Sequence, residues 1–218
     1  MVAVVTGFAV SPDRGRGHAR DMRVRWAMEE LGVAHEVRLL GRADMKEEPH
    51  LSLQPWGQIP TFEDGEVALF ESGAIVLHLA QSYPGLLPEG RAARARAMSW
   101  MFAAVATVEP AVQEVETARF FESGEGWPPA RLQAAEARLR ARLQPLEARM
   151  AGRDWLDGVF TAGDLMMIAV LRRVGGLQER FPALAALVAR GETRPAFARA
   201  FAAQRAVWES VLASGRAG

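Results

Sequence analysis

The chain has 218 residues, half of them hydrophobic, which is enough for one large domain or two small ones around a substantial core. Lys and Arg together number 26, as do Asp and Glu, so the formal net charge is zero. A general nucleic-acid binder depends on a net basic surface, and this balance disfavours that class. The absence of cysteine from the sequence excludes disulfides, thiolate metal sites and a cysteine nucleophile.

Two apolar segments bear on membrane association. The start, MVAVVTGFAV, has no basic leader region and no cleavage-site pattern, so we interpret it as a first strand and not as a signal peptide. The run LMMIAVL at 165–171 is far too short to span a bilayer. We therefore expect a soluble, cytoplasmic protein.

The first 83 residues carry alternating strand and helix patterns. Strand patterns at 2–10 and 35–40 flank a helical pattern that Gly32 is predicted to close, as the residue after the last turn. An Asp-Gly turn at 64–65 lies between two short strand patterns and predicts a hairpin. A helix follows, with Ser72 as its predicted N-cap.

The segment PGLLPEG at 84–90 interrupts this pattern and marks a predicted domain boundary. After this linker, apolar residues recur every three or four positions, which predicts helices with one buried stripe each. Pro110 and Pro145 lie inside these patterns and are expected to kink or end their helices. Thr161 and Asp164, three positions apart, predict a capping box at a helix start.

The segment from 57 to 80 combines three features. The pair Ile59-Pro60 opens a strand pattern, and the Asp-Gly hairpin follows it. The pair Glu71-Ser72 then opens a helix. This combination resembles the glutathione-binding half of the glutathione S-transferase family, of the bacterial cytosolic type. The patterns RVRWAMEELG and FTAGDLMM are similar to two helical elements of the same family, so the resemblance covers most of the chain.

The resemblance implies a fold of α/β plus all-α class. Residues 1–83 would form a thioredoxin-like domain, with a mixed four-stranded sheet and helices, that binds glutathione. Residues 84–90 would be a linker. Residues 91–218 would form an all-helical domain that supplies the wall of an electrophile site.

The resemblance also implies a glutathione site. Pro60 would be cis, so that the backbone of Ile59 turns outward and pairs with the cysteinyl part of the ligand like an added strand. Glu71 would accept from the ligand's α-ammonium group, and Ser72 with the helix N–H groups would hold its α-carboxylate. Gln58 is a candidate for the glycyl end. Taken singly, Glu71-Ser72 could be an ordinary capped helix start and Pro60 a proline at a strand edge. Their combination at this spacing favours a glutathione site.

Activation of the thiol is where the sequence departs from the family pattern. A free cysteine thiol has a pKa of roughly 8.5, so a transferase has to stabilise the thiolate at neutral pH. The family usually places a Tyr, Ser or Cys near the end of the first strand or the start of the first helix. Here the chain has no Cys, and its only tyrosine, Tyr83, lies at the end of a later helix.

Three residues remain as candidates for that role. Arg20 could stabilise a thiolate by charge, helped by the positive end of the first helix. Ser11 could donate a hydrogen bond, and His18 could donate or act as an acid or base. An ordinary turn serine and an inert surface histidine are the alternatives for these two. We favour Arg20 with backbone N–H groups, and Ser11 second.

Other charged and histidine residues have simpler predicted roles. Arg23 and Arg25 lie further into the first helix and are expected to form surface ion pairs with Glu29 or Glu30. The histidines lack the spacing of metal ligands, so we expect no metal.

Aromatic and apolar residues supply two further predictions. A hydrophobic electrophile pocket is predicted to be lined by Phe8, Trp100, Met101, Phe120 and Phe121, although core packing would explain each of them. Trp56, in the loop before the Ile-Pro strand, is a candidate contact in a homodimer, and packing within its own chain is an equal alternative.

The leading functional hypothesis is a glutathione-dependent transferase. It would use glutathione as co-substrate against a small hydrophobic electrophile, or perform related peroxide or isomerase chemistry in detoxification. The alternative is a glutathione-binding stress or interaction protein without transferase activity. Nucleic acid and membrane are not expected as partners.

Overall fold

The structure is a computed structural model, which describes residues 2–122 and 130–215, except for the side chain of Phe121. The first elements are β1 (Ala3–Phe8), α1 (Asp21–Leu31), β2 (His35–Leu40), a 3-10 turn (Asp44–Lys46), α2 (Glu48–Leu51), β3 (Thr61–Glu63), β4 (Ala68–Phe70) and α3 (Ser72–Ser82). The rest of the described chain is helical: α4 (Arg91–Phe102), a π-helical segment (Ala103–Val108), α5 (Glu109–Glu116), a second π-helical segment (Thr117–Phe121), α6 (Ala130–Met150), α7 (Ala162–Leu171), α8 (Leu177–Arg180), α9 (Pro182–Glu192) and α10 (Pro195–Ala213).

Packing divides the chain into two compact units. Unit 1 consists of Met1–Leu87 and Glu192–Gly218, and unit 2 of Pro88–Gly191. The C-terminal segment therefore packs with the N-terminal α/β part, whereas the sequence pattern had grouped it with the helices at 91–218. The domain boundaries predicted from the sequence stay a prediction.

The sheet of unit 1 has four strands in the order β2-β1-β3-β4. β1 pairs with β2 in parallel and with β3 antiparallel, and β3 pairs with β4 antiparallel. This mixed sheet, with its flanking helices, confirms the predicted thioredoxin-like fold. α1 ends at Gly32, whose φ of +66° is the left-handed conformation that favours glycine, as predicted.

The hairpin between β3 and β4 is also as predicted. The Asp64 side chain stabilises its turn because Oδ1 accepts hydrogen bonds from the N–H groups of Glu66 and Val67, at 2.9 and 3.0 Å. Gly65 takes a φ of +95° in the same turn, which a residue with a Cβ rarely adopts. The turn matters for the site because it sets the pairing of β3 with β4.

Unit 2 contains the predicted capping box at the start of α7. Thr161 Oγ1 accepts from the Gly163 N–H at 3.2 Å, and Asp164 Oδ2 accepts from the Thr161 N–H at 2.9 Å. The second oxygen of Asp164 accepts from the Leu156 N–H at 2.8 Å. Asp164 thus ties the preceding loop to a fully buried helix start.

The two prolines have different positions in their helices. Pro110 lies in the first turn of α5, directly after a π-helical segment, so the α-helical pattern is interrupted at that point, as predicted. Pro145 lies inside α6, which continues through it to Met150. Pro145 therefore does not end its helix.

In the described part of the chain, no helix combines the length and the apolar character needed to cross a membrane.

The last helix, α10, packs on α1 within unit 1. The ring of Phe197 meets the indole of Trp26 edge-on, with 5.1 Å between the centroids. Arg194 donates two hydrogen bonds to the Glu30 carboxylate, at 2.6 and 2.7 Å. An aromatic pair and a bidentate ion pair therefore explain why the end of the chain belongs to unit 1.

A second contact of α10 involves the loop before α1. Gly15 in this loop has a φ of +72°. A Cβ placed on Gly15 would lie 2.9 Å from the Cβ of Trp208 and 3.0 Å from its Cγ. The close approach leaves no room for a side chain, so glycine is required here for both backbone conformation and packing.

Replacing Gly15 by alanine should therefore cost more stability than the same change at Gly32. Both positions have a similar positive φ, which costs a non-glycine residue roughly 1–2 kcal/mol, but a Cβ at Gly32 would meet nothing within 4 Å. We expect Gly15→Ala to lose a further 1–3 kcal/mol or so from overpacking against Trp208. Urea denaturation of the two variants measures the difference, and equal losses would contradict the contact with α10.

Candidate functional site

The loop that leads into β3 contains a cis peptide bond between Ile59 and Pro60, as the family resemblance implied. The next residue is anchored to β1 because the Thr61 N–H donates to Thr6 Oγ1 at 2.6 Å. Among the described residues, the backbone N–H and C=O of Ile59 have no hydrogen-bond partner. Ile59 therefore offers a backbone donor and acceptor directly before an inner strand of the sheet.

Two buried side chains hold the backbone just before this cis bond. Gln54 Oε1 accepts from the N–H groups of Trp56 and Gln58, at 2.7 and 3.3 Å. His50 Nε2 lies 2.7 Å from the Gln58 carbonyl oxygen, which can only accept, so this ring nitrogen donates. Neither His50 nor Gln54 belongs to a local motif, so the sequence gives no signal for these two supporting contacts beyond the metal-ligand spacing that the histidines lack.

The pairing of β3 with β4 brings a second group of residues beside the cis bond. Thr61 lies opposite Phe70, so the chain before β3 runs alongside the chain after β4. Glu71 follows β4 with a φ of +70° and a ψ of 114°, and its side chain is exposed. A positive φ in a residue other than glycine is uncommon and is often found at functional sites.

The start of α3 differs by one residue from the prediction. Glu71 occupies the N-cap position, and Ser72, predicted as the N-cap, is the first helical residue. The physical reason is the positive φ of Glu71, which is incompatible with helical geometry, so the helix begins after it. Ser72 is buried, with 3% of its surface exposed.

The prediction for Arg23 and Arg25 was wrong. Both are buried, at 2% and 3% exposure, and neither forms a surface ion pair with Glu29 or Glu30. The reason is that α1 packs against α3 on one side and α10 on another, which buries positions that would be exposed on a lone amphipathic helix. Arg23 Nη1 donates to Ser72 Oγ at 3.2 Å.

Arg25 belongs to a buried polar cluster at the start of α1. Its Nε donates to Asp21 Oδ2 at 2.8 Å, and Gln204 Nε2 approaches both Asp21 oxygens at 3.2 and 3.3 Å. Burial raises the pKa of Asp21, and the opposing effects of Arg25 and Gln204 only partly offset this rise. Gly7 in β1 borders the same cluster, and a Cβ there would collide with Arg25 and Asp21.

The loop before α1 is organised around one carboxylate, that of Asp13. Oδ1 accepts from Ser11 Oγ at 2.5 Å and from the Gly15 N–H at 3.0 Å. Oδ2 accepts from the N–H groups of His18 and Ala19, at 2.5 and 3.0 Å. Burial raises the pKa of Asp13, but the hydrogen bonds from Ser11, His18 and Ala19 outweigh this and lower it below its ordinary value.

This arrangement bears on the three residues predicted to stabilise a thiolate. The Ser11 hydroxyl proton is directed at Asp13, and so are the backbone N–H groups of His18 and Ala19. Arg20 lies directly before the first residue of α1 and is half-buried. Their roles in catalysis stay predictions.

The residues predicted to line an electrophile pocket have different surroundings. Phe8, at the end of β1, is half-buried, Met101 is buried and Phe120 is 67% exposed. The Trp100 ring lies beneath the Arg149 guanidinium at 5.8 Å within unit 2. The side chain of Phe121 lies outside the described part of the structure. The pocket stays a prediction.

Trp56, predicted as a dimer contact, is 61% exposed. Its ring meets that of Phe70 edge-on at 5.5 Å, so it also packs within its own chain. The structure therefore shows features of both interpretations, and the dimer contact stays a prediction.

Across residues 2–122 and 130–215, no group of three His, Asp or Glu residues could hold a metal ion.

Replacing Asp13 by asparagine should destabilise the loop. One of the two oxygens becomes an NH₂ group that faces two donors, so we expect a loss of about 2 kcal/mol at neutral pH. Because the pKa of Asp13 is lowered in the folded protein, its ionised form stabilises the fold above the unfolded pKa of about 3.9, and this contribution is lost as the pH falls through the folded value.

The gap in unfolding free energy between wild type and Asp13→Asn should therefore be constant near neutral pH and narrow in acid. Urea denaturation at several pH values measures it. Asp44→Asn is the control, because the Asp44 side chain is exposed and accepts one hydrogen bond, from the Gly41 N–H, and its effect should be smaller. A gap that does not depend on pH would contradict the proposed role of the Asp13 carboxylate.

Comparison with known proteins gives the family. The model of the glutathione S-transferase N-terminal domain matches residues 14–81, which include the cis bond and the start of α3. Glutathione S-transferase 4 of Zea mays is 38% identical over 90 residues, which cover 40% of this chain and 37% of the maize protein. Glutathione S-transferase F9 of Arabidopsis thaliana is 28% identical over 157 residues, 68% of this chain and 73% of that protein.

A solved structure extends the similarity to nearly the whole chain. The theta class glutathione S-transferase of Xanthomonas axonopodis pv. citri, solved with glutathione bound, superposes with a TM-score of 0.76 at 28% identity. The superposition covers 92% of this chain and 97% of that protein. Residues 14–81 therefore belong to the glutathione S-transferase N-terminal domain family, and nearly the whole chain shares the fold of a glutathione S-transferase.

Proposed function

We propose that the protein binds glutathione and stabilises its thiolate for attack on a small hydrophobic electrophile. The observation that carries this proposal is the juxtaposition of two unusual backbone segments. The β3–β4 pairing sets the cis bond, with the free N–H and C=O of Ile59, beside the positive-φ Glu71 and the start of α3. The glutathione bound in the Xanthomonas relative supports the same ligand.

Each part of glutathione has a chemical match among these residues. The cysteinyl backbone would pair with Ile59 as an added strand does. The exposed Glu71 carboxylate would accept from the α-ammonium group, and Ser72 with the first N–H groups of α3 would hold the α-carboxylate. Gln58, exposed just before the cis bond, is assigned to the glycyl end.

Arg20 is our candidate for stabilising the sulfur. The thiol proton would leave to solvent, and the positive charge at the start of α1 would favour the remaining thiolate. With an aryl chloride, the sulfur electron pair would then form the C–S bond, and chloride would leave with the electron pair of the C–Cl bond. Peroxide and isomerase chemistry would begin from the same thiolate.

A second candidate function is glutathione binding without transferase activity. One observation favours it: the Ser11 hydroxyl, the nearest equivalent of the usual family hydroxyl, donates its proton to Asp13. A hydroxyl held in this way cannot donate the same proton to a thiolate.

The remaining parts of the proposal rest on the sequence predictions. They are a homodimer with Trp56 at the contact, an electrophile site formed by the predicted apolar residues, and a cytoplasmic location. The 61% exposure of Trp56 supports its availability to a partner.

Glutathione binding should depend on the Glu71 carboxylate. We expect Glu71→Gln to weaken binding about tenfold or more, because it replaces a charge-assisted hydrogen bond to an ammonium group. Glu66→Gln is the matched control, since Glu66 is an exposed carboxylate on the hairpin turn, and it should bind like wild type. Isothermal titration calorimetry measures both. No binding by the wild type, or equal affinity for Glu71→Gln, would refute the site.

Turnover separates the two functions. A transferase should conjugate glutathione to chlorodinitrobenzene or reduce an organic peroxide, and Arg20→Met should lower kcat while glutathione affinity is retained. If the wild type binds glutathione and turns over neither electrophile, the binding protein is the correct function.

A further inference from the structure

Arg23 carries a charge into the interior of unit 1. It is the third residue of α1, it is 2% exposed, and α1 packs on α3 at this level. Its Nη1 lies 3.2 Å from the hydroxyl of Ser72, the first residue of α3. A buried guanidinium depends on hydrogen bonds to offset its desolvation penalty, and the Ser72 hydroxyl is one of the acceptors of Arg23.

The direction of this hydrogen bond constrains Ser72. A guanidinium has donors and no acceptor, so the Ser72 oxygen must accept from it. The Ser72 proton is then left to point away from Arg23, toward another acceptor. The first N–H groups of α3 lack partners within their own helix and are donors too. The start of α3 therefore presents donors and is bordered by a positive charge.

We propose that Arg23 is a positioning residue that acts through Ser72 to make the site selective for a ligand with a free α-carboxylate, such as a γ-glutamyl peptide. This inference rests on the proposed function. Arg23 fixes the Ser72 hydroxyl as a donor to the carboxylate, and its charge favours an anion over a neutral amide of the same shape.

The ratio of the affinities for two ligands tests this role, because a purely structural role of Arg23 would change both affinities by the same factor. The two ligands are glutathione and an analogue in which the γ-glutamyl α-carboxylate is a primary amide, and calorimetry measures the ratio of their dissociation constants. For the wild type we expect a preference for glutathione of about tenfold or more. For Arg23→Met we expect the preference to fall to about threefold or less.

Two further variants test how Arg23 acts. Arg23→Lys keeps the charge and should keep most of the preference. Arg23→Met combined with Ser72→Ala should lose less preference than the two single variants lose together, because part of the effect of Arg23 passes through that hydroxyl. Thermal unfolding checks that each variant is folded. If Arg23→Met does not fold, Arg23→Gln replaces it, and the preference should still fall because the charge is lost.

The outcomes are distinct. An Arg23→Met variant with the wild-type preference would overturn the inference, and so would an equal loss of affinity for both ligands, which indicates a structural role. A wild type that binds glutathione but does not prefer it to the amide would also overturn it. A wild type that binds neither ligand would overturn the proposed function itself.

Discussion

The short antiparallel pairing of β3 with β4 is the constraint on which the candidate site depends. Each strand has only three residues, and Thr61 opposite Phe70 is the pair at the end away from the turn. This register sets the cis bond beside Glu71. A shift by one residue would turn the side chains to the other face of the sheet and separate the two segments.

The supports of this hairpin are distributed over distant parts of unit 1. The Asp64 side chain closes the turn, and Thr6 of β1 anchors the head of β3. His50 and Gln54, from α2 and the loop after it, hold the chain that approaches the cis bond. The backbone groups assigned to glutathione are therefore held in place before any ligand arrives, which lowers the entropic cost of binding.

Helix α1 shows how tertiary packing overrides a local pattern. Its sequence alternates charged and apolar residues, which predicts a charged surface on a lone helix. Contacts with α3 and α10 bury both Arg23 and Arg25, and Arg25 pairs with Asp21 in the interior. The charges near the site are consequently fixed by packing and are shielded from solvent screening.

Much of the fold could be predicted from local signals. The Asp-Gly turn, Gly32 after α1 and the capping box of Thr161 and Asp164 each depend on a few neighbouring residues, and the structure confirms all three. The cis Pro60 was implied by family resemblance and is also observed.

The features that the sequence analysis missed depend on residues far apart in the chain. The bond from Arg23 to Ser72 joins positions 49 residues apart, and Gln204 reaches Asp21 across 183 residues. The Asp13 loop was missed for a different reason: its bond from the Gly15 N–H has the spacing of an ordinary Asx turn, and only the bonds from His18 and Ala19 extend beyond that motif. No periodicity or short motif predicts such contacts.

The central claim is that Ile59, Glu71 and Ser72 form a ready-made glutathione site, and a crystal structure of the complex tests it most directly. We predict that the ligand's cysteinyl C=O accepts from the Ile59 N–H, that its cysteinyl N–H donates to the Ile59 C=O, and that its α-carboxylate lies on Ser72 at the start of α3. Glutathione bound elsewhere on the protein, with the Ile59 backbone unpaired, would contradict the account.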